Sequence, residues 1–172
     1  MGDRVQTLED LLQPGLRAVC VGINPSPMSV EAGHYYQGIL GQRFFGRLRY
    51  VGLLSEDSDG FEDDAAFASG VGFTDIVKRP TPNATAVSAA EFEHGQHVLE
   101  AKLEAHPPEF VIFTFKKAAE SLFGSFTGNG FVPGLCLAHS KVFVMPAPYE
   151  SNTTVYPTLD TLAERLAISQ ER

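Results

Sequence analysis

The stretch "VCVGINPSPMS", residues 19–29, runs an apolar segment into a glycine and then into an amide followed by two prolines. Asn24 is the first side chain whose type and place invite chemistry. A carboxamide does not ionise near neutral pH, so it can orient a water molecule but cannot take its proton as a carboxylate would. Pro25 and Pro27 disfavour helical geometry at Asn24 and Ser26, which predicts a chain that leaves the strand extended and holds Asn24 at the mouth of a crevice. The competing reading is local: Asn24 caps its own turn. Asp75, in "GFTDIV", falls at or near the end of a second strand-like run. Its carboxylate could be the general base that Asn24 cannot be, or it could bond nearby backbone or pair with Lys78 or Arg79. His34, Tyr35 and Tyr36 share a loop with Asn24. At residues 24–41 that loop is longer than a routine connection, and long ordered loops tend to be functional.

The elements that must position these residues follow from hydrophobic patterning. "RAVCVGI", "GFTDIV", "EFVIFTF" and "KVFVMP" are short runs, apolar on nearly every residue, as expected of strands buried on both faces. Helical patterns lie between them. "QRFFGRLRYVGLL" puts Phe44, Leu48 and Val51 inward and Arg43 and Arg47 toward water; "SAAEFEHGQHVLEAKLEAH" opens with Ser88 and Glu91 in capping-box spacing and runs from 88 to about 105. "KKAAESLFG" reads as a helix stopped at Gly124, and "TLDTLAERLAIS" as a closing helix after Pro157. A weak capping signal suggests a short helix at "TLEDLLQ", and the acidic run at 55–64 reads as a solvated loop. The alternation predicts an α/β fold: three layers, α/β/α, around a central, mostly parallel sheet of about four strands, in one domain over 1–172. Ligands bind outside the carboxyl ends of such strands, which points to "NPSPMSVEAGHYYQGILG", "KRPTPNAT", the turn at Lys116-Lys117 and "PAPYESNTTVYP".

A chain of 172 residues, 44% hydrophobic, can bury a core without disulfide or metal staples. Cys20 and Cys136 are far apart and lack Cys-x-x-Cys spacing, so cysteine alone builds neither an iron–sulfur cluster nor a zinc site; both read as small buried hydrophobes. His94 and His97, three apart, read as an exposed helix face. There is no apolar run of about 18 residues to span a bilayer, and the N-terminus lacks the layout of a secretory signal. The expectation is a cytosolic protein with no membrane contact, associated with the nucleoid if bacterial. A net charge of −8 argues against a polyanionic partner. Without the six acids of "SEDSDGFEDD" it would be −2, and Arg43, Arg47, Arg49, Lys78, Arg79, Lys116, Lys117 and Lys141 fall in small basic clusters or singly elsewhere.

"LLQPGLRAVCVGINP", followed by "GHYY", resembles the opening of the mismatch-specific uracil/thymine DNA glycosylases, a branch of the uracil-DNA glycosylase superfamily. The similarity continues through "QRFFGRLRYVGLL", "VGFTDIVKRPTP", "VSAAEFEHG" and "VFVMP", in the family's order and with similar gaps, over roughly residues 11–148. The resemblance implies a uracil-DNA glycosylase-like fold and a monofunctional enzyme that flips uracil, or thymine and other damaged pyrimidines, out of mispairs with guanine in double-stranded DNA. It implies hydrolysis of the N-glycosyl bond by a monomer, with no metal or organic cofactor. Flipping costs a few kcal/mol, least for a mismatched base. At the position of Asn24 the family orients the attacking water. Tyr36 falls where the family sets an aromatic ring against the flipped base, a contact worth about 1–3 kcal/mol. Backbone amides near Ile23 and Tyr36 are the implied donors to the base oxygens; His34 and Tyr35 line the pocket, meet phosphate or are structural.

The chain departs from that pattern in three places. Ser26 replaces a glycine, with a hydroxyl that could bond a phosphate, and Gln42 and Phe45 replace an asparagine and a tryptophan. The second motif reads "PAPYESNTTVYP", where Ala147, Pro148 and Tyr149 would face DNA, Tyr149 is the bulky side chain placed to act as a wedge, and Glu150 is an acid beside phosphate. Lys116 and Lys117 could meet phosphate at a helix start or form an ordinary solvated turn. Two rival readings remain at this level: a catalytically weak lesion- or abasic-site-binding protein on the same fold, and a small-molecule nucleoside hydrolase using the same crevice.

Overall fold

The computed structural model describes residues 4–57 and 59–171. Strand β1 (Ala18–Gly22) pairs in parallel with β2 (Val71–Asp75) on one side and with β3 (Phe110–Phe113) on the other. β3 pairs in parallel with β5 (Ser140–Val144), and the two-residue β4 (Cys136–Leu137) closes that edge antiparallel, giving the order β2-β1-β3-β5-β4. The four parallel strands are the four apolar runs of the sequence; β4 is too short to leave a pattern. Every residue of β1, β2 and β3 is buried, because both faces of the sheet carry helices.

The helices are α1 (Pro27–Ala32), α2 (Ile39–Tyr50), α3 (Glu62–Ala68), α4 (Ala89–Ala105), α5 (Lys116–Phe123) and α6 (Asn152–Gln170). On one face Cys20, Phe73, Ile112 and Phe143 pack with Phe44, Phe45 and Leu48 of α2, Ala66 of α3 and Leu159 and Leu162 of α6. On the other, Val19, Val21, Val111 and Phe113 pack with Leu99 and Leu103 of α4 and Ala118 and Ala119 of α5. The result is the expected three-layer α/β architecture. Among the described residues no helix is long and apolar enough to cross a membrane.

Several local expectations are corrected. "TLEDLLQ" forms no helix: Leu11 exchanges backbone hydrogen bonds with Phe73 (2.9 and 3.0 Å) as an isolated antiparallel bridge against β2. The prolines after Asn24 do not keep the loop irregular. Ser26 is extended (φ −80, ψ 155), as a residue before proline must be, and that is also N-cap geometry; its hydroxyl accepts from the Ser29 N–H at 3.1 Å. Pro27 then opens α1, where its missing N–H would have had no partner anyway. The acidic run is only partly loop, since Glu62, Asp63 and Asp64 form the first turn of α3, where negative charge meets the positive end of the helix dipole, and Asp63 is buried. The last helix begins before Pro157, which it contains, and Cys136 is exposed rather than buried. The Ser88–Glu91 capping box of α4 forms as read, and His94 and His97 are exposed.

Candidate active site

The carboxyl ends of the parallel strands open into a cavity of about 390 Å³. Of the residues singled out in the sequence, Ile23, Asn24, Ser26, Tyr35, Tyr36, Asp75 and Pro148 line it; His34, Lys116, Lys117, Ala147 and Tyr149 do not. The lining is mainly apolar, with a few polar groups converging from segments far apart in the chain, the usual make-up of a small-molecule or base pocket.

Asn24 does not cap its own turn. Its Nδ2 donates to the Arg79 carbonyl at 2.9 Å and to Thr81 Oγ1 at 2.7 Å, across 55 and 57 residues of chain. Thr81 is itself fixed, through its hydroxyl to Asn83 O (2.6 Å) and its N–H to Pro25 O (3.2 Å). With both amide N–H groups engaged, Oδ1 is the remaining polar atom of the side chain and has no protein donor among the described residues. Thr81 was not picked out from the sequence; its place between two prolines, in a loop at a strand's carboxyl end, was the available signal.

Asp75 ends β2 in register with Gly22 of β1. A Cβ on Gly22 would lie 2.3 Å from Asp75 Oδ1 and 3.3 Å from Tyr36 Oη, so both polar groups crowd the space that glycine leaves open. Both Asp75 oxygens and the Tyr36 hydroxyl are buried without a hydrogen-bond partner among the described residues. Burial pushes the Asp75 carboxyl up to about 7, against the pull of Lys78 and Lys102 and with a further push from Asp10. The pairings the sequence offered for Asp75 are not made. Lys78 bonds Asp10 at 2.8 Å, as does Lys102 at 2.5 Å, and Arg79 pairs with Glu91 at 2.5 Å. Burial is also the main reason that the Tyr36 phenol titrates well above its usual range, with the Asp75 charge adding to it.

The segment carrying Tyr36 is held from both sides. Tyr36 itself has φ 53, a left-handed conformation uncommon outside glycine, and α2 presses against it so closely that a Cβ on Gly41 would fall 1.5 Å from the Tyr36 carbonyl oxygen. The ring packs edge-on to Phe44 and Phe73, with centroids 4.9 and 5.9 Å away. Buried Asp63 accepts the Tyr35 N–H at 2.7 Å and bonds His34 Nδ1 at 2.9 Å, and the His34 ring stacks on Phe61 at 3.5 Å. His34 therefore faces α3, and the Tyr35 hydroxyl donates to the Glu9 carbonyl at 2.9 Å. His34, Asp63 and Asp64 hold donor atoms within 4.8 Å of one another, a metal-like grouping, but the oxygens of Asp63 are engaged by the Tyr35 and Asp64 N–H groups and by His34.

Ser26 uses its hydroxyl on Ser29 Oγ at 3.0 Å as well as on the α1 cap. Lys116 pairs with Glu120 at 3.7 Å and lies over the Phe126 ring, while Lys117 is exposed, one residue beyond. Tyr149, 82% exposed, stands beside the mouth on the loop that includes Pro148. Arg47, expected to face water, is half-buried and turns onto that same loop. Helical spacing alone could not place it, because the loop it meets lies about 100 residues away.

A glycine-bounded strand end, a pocket at the carboxyl edge of a parallel sheet, and an amide and an acid on its wall agree with the family comparison. The model of the uracil DNA glycosylase superfamily matches residues 9–170, nearly the whole chain. The chain belongs to the uracil DNA glycosylase superfamily, whose members are DNA N-glycosylases that hydrolyse the bond between base and sugar.

Proposed function

We propose that this glycosylase is monofunctional and mismatch-preferring: it flips uracil out of a duplex and hydrolyses its N-glycosyl bond, with G·U mispairs the favoured duplex substrate. The observation that carries the reading is the pairing, on one cavity wall, of an oriented carboxamide with a buried carboxylate that has no hydrogen-bond partner among the described residues. Asn24 Oδ1 would hold a water against C1′ of the flipped nucleotide. As the C1′–N1 bond breaks, the water oxygen bonds to C1′, its proton passes to Asp75, and the base departs with the bonding electron pair. The uracil anion takes up a proton from solvent and Asp75 returns its own to solvent, so the products are free uracil and an abasic site. The Tyr36 N–H lies between two committed neighbours, the Tyr35 N–H on Asp63 and the Gln37 N–H on Ser29 Oγ, and is the candidate donor to a base oxygen. Tyr149 is the candidate wedge, and exposed Lys117 a candidate phosphate contact. The preference for G·U follows from the lower cost of opening a mispair.

The test is single-turnover release of uracil from otherwise identical G·U and A·U duplexes at low salt, with Asn24→Ala alongside. The expected result is faster release from G·U and a loss of roughly a hundredfold in the variant, the scale of misplacing a reacting group. Absence of release from both duplexes would sink the proposal for uracil and favour a lesion-binding protein. Full activity in Asn24→Ala would move the water-activating role to Asp75 alone.

A further inference from the structure

Helix α2 starts at the cavity mouth with side chains that an end facing water does not call for. Its N-cap is Gly38, which has no side chain to offer the N–H groups of the first turn, no acid lies in that turn, and the first two helical residues are Ile39 and Leu40. Leu40 stands one turn before Phe44 on the stripe that α2 buries, yet it is 52% exposed, because at this end of the helix the stripe looks onto the cavity, which Leu40 lines. Ile39 shares a face with Arg43, one turn on, and is 77% exposed. Met28 of α1, 59% exposed, has its Sδ 3.6 Å from where a Cβ on Gly38 would stand, so it abuts the residue that leads into Ile39 and Leu40. Single exposed apolar residues are ordinary, but a contiguous group on the rim of a binding cavity marks a contact surface.

We infer that Met28, Ile39 and Leu40 form an apolar contact surface for DNA opened at the lesion, covering faces of base and sugar that flipping takes out of the stack. The inference rests on the glycosylase reading above. A base that enters this cavity crosses the rim, and because it stays joined to its sugar until the bond is cut, the strand it came from lies against that rim. An intact duplex presents mostly phosphate and sugar there and gives aliphatic side chains little to cover. Once a nucleotide has rotated out, the neighbouring base faces are open, and apolar side chains seated against such a step are how many proteins hold it. Charge has less to offer at this place. The chain carries a net −8, Arg43 and Arg47 donate to the carbonyls of Pro146, Ala147 and Pro148, and Arg79 is paired with Glu91.

The experiment measures Kd by fluorescence anisotropy, over a series of salt concentrations, for two duplexes of one sequence: fully paired, and with a tetrahydrofuran abasic analogue opposite guanine. The analogue carries no base, so contacts inside the cavity do not enter the comparison. Wild type is set beside the double variant Ile39→Ser, Leu40→Ser and beside Ile168→Ser. Ile168 is 51% exposed near the far end of α6, where Arg17, just before β1, donates to the Leu166 carbonyl, and so lies at the amino ends of the strands. With urea midpoints alike, the double variant is expected to bind the abasic duplex about tenfold more weakly, the order of losing cover over a large aliphatic side chain. Its Kd for the paired duplex should stay within about twofold of wild type and its salt dependence should be unchanged, since no phosphate contact is lost. Ile168→Ser should match wild type on both. Equal Kd values for wild type and double variant on the abasic duplex would overturn the inference and hand the patch to a protein partner or a second copy of the chain. Equal weakening on both duplexes, or a shallower salt dependence, would overturn it too. Uracil release from the G·U duplex is followed in parallel: the expected pattern of Kd values without release would remove the catalytic reading and leave this one standing. Binding of wild type to neither duplex would end both.

Discussion

Replacing Asp75 with asparagine should move stability and activity in opposite directions. Burial raises the carboxyl from its usual 3.8 to about 7 in the folded protein. Below pH 4 it is protonated in both folded and unfolded chains and carries no penalty. Between about pH 4 and 7 the native state keeps a proton that the unfolded chain has released, so stability falls as pH rises, by about 1.4 kcal/mol per unit. Above 7 the loss levels off at roughly 4 kcal/mol, an upper figure. Asparagine stays neutral and lacks this slope, but its buried amide loses roughly 1–3 kcal/mol if it finds no partner. Urea denaturation of both proteins at pH 4, 5.5, 7 and 8.5 should show the variant at or below wild type in acid and gaining on it as pH rises. Lys78, Lys102 and Asp10 are common to both proteins, so their own titrations largely cancel in the difference. Single-turnover release by wild type should climb to a plateau above about pH 7, and the variant should lose roughly 10²–10⁴-fold along with that climb. A stability difference that stays flat across the pH range would refute the reasoning, because it would mean the carboxylate titrates as an ordinary solvated acid.

Three further outcomes follow from the geometry. Asn24→Asp sets a carboxylate oxygen against the Arg79 carbonyl, where Nδ2 now donates at 2.9 Å, so the side chain should turn away and release should fall about a hundredfold despite the added charge; a rate at or above wild type would show that these bonds do not set its position. Gly41→Ala puts a methyl group 1.5 Å from the Tyr36 carbonyl oxygen and should cost about 3 kcal/mol or more, read as a lower urea midpoint; an unchanged midpoint would contradict the contact. Arg47→Met keeps an apolar stem but removes charge-assisted bonds worth about 1.5–3 kcal/mol each, so the amides of Ala147 and Glu150 should exchange faster with solvent. Equal exchange rates would mean that the loop holds itself.

Local pattern was enough for the four parallel strands, for the capping box of α4 and for the edge of the sheet on which to look, because strand burial, helix spacing and caps are written within a few neighbouring residues. The same reasoning picked Asn24 and Asp75 but left each between two roles, and Tyr36 was singled out by the family resemblance. Asp75 would have been an ordinary ion pair had Lys78 turned toward it; the structure commits Lys78 to Asp10, which arrives from the other end of the chain segment, and the carboxylate is left alone. Asn24 would have been a turn cap had Arg79 and Thr81 not reached its amide. Arg47 looked like a solvated helix residue until the loop after β5 supplied its carbonyl partners. Which residues form strands and helices is governed by periodicity that the sequence carries openly. What each polar side chain does depends on partners 50 to 100 residues away, and hydrogen bonds with a reach of about 3 Å are decided only when the folded chain brings those segments together.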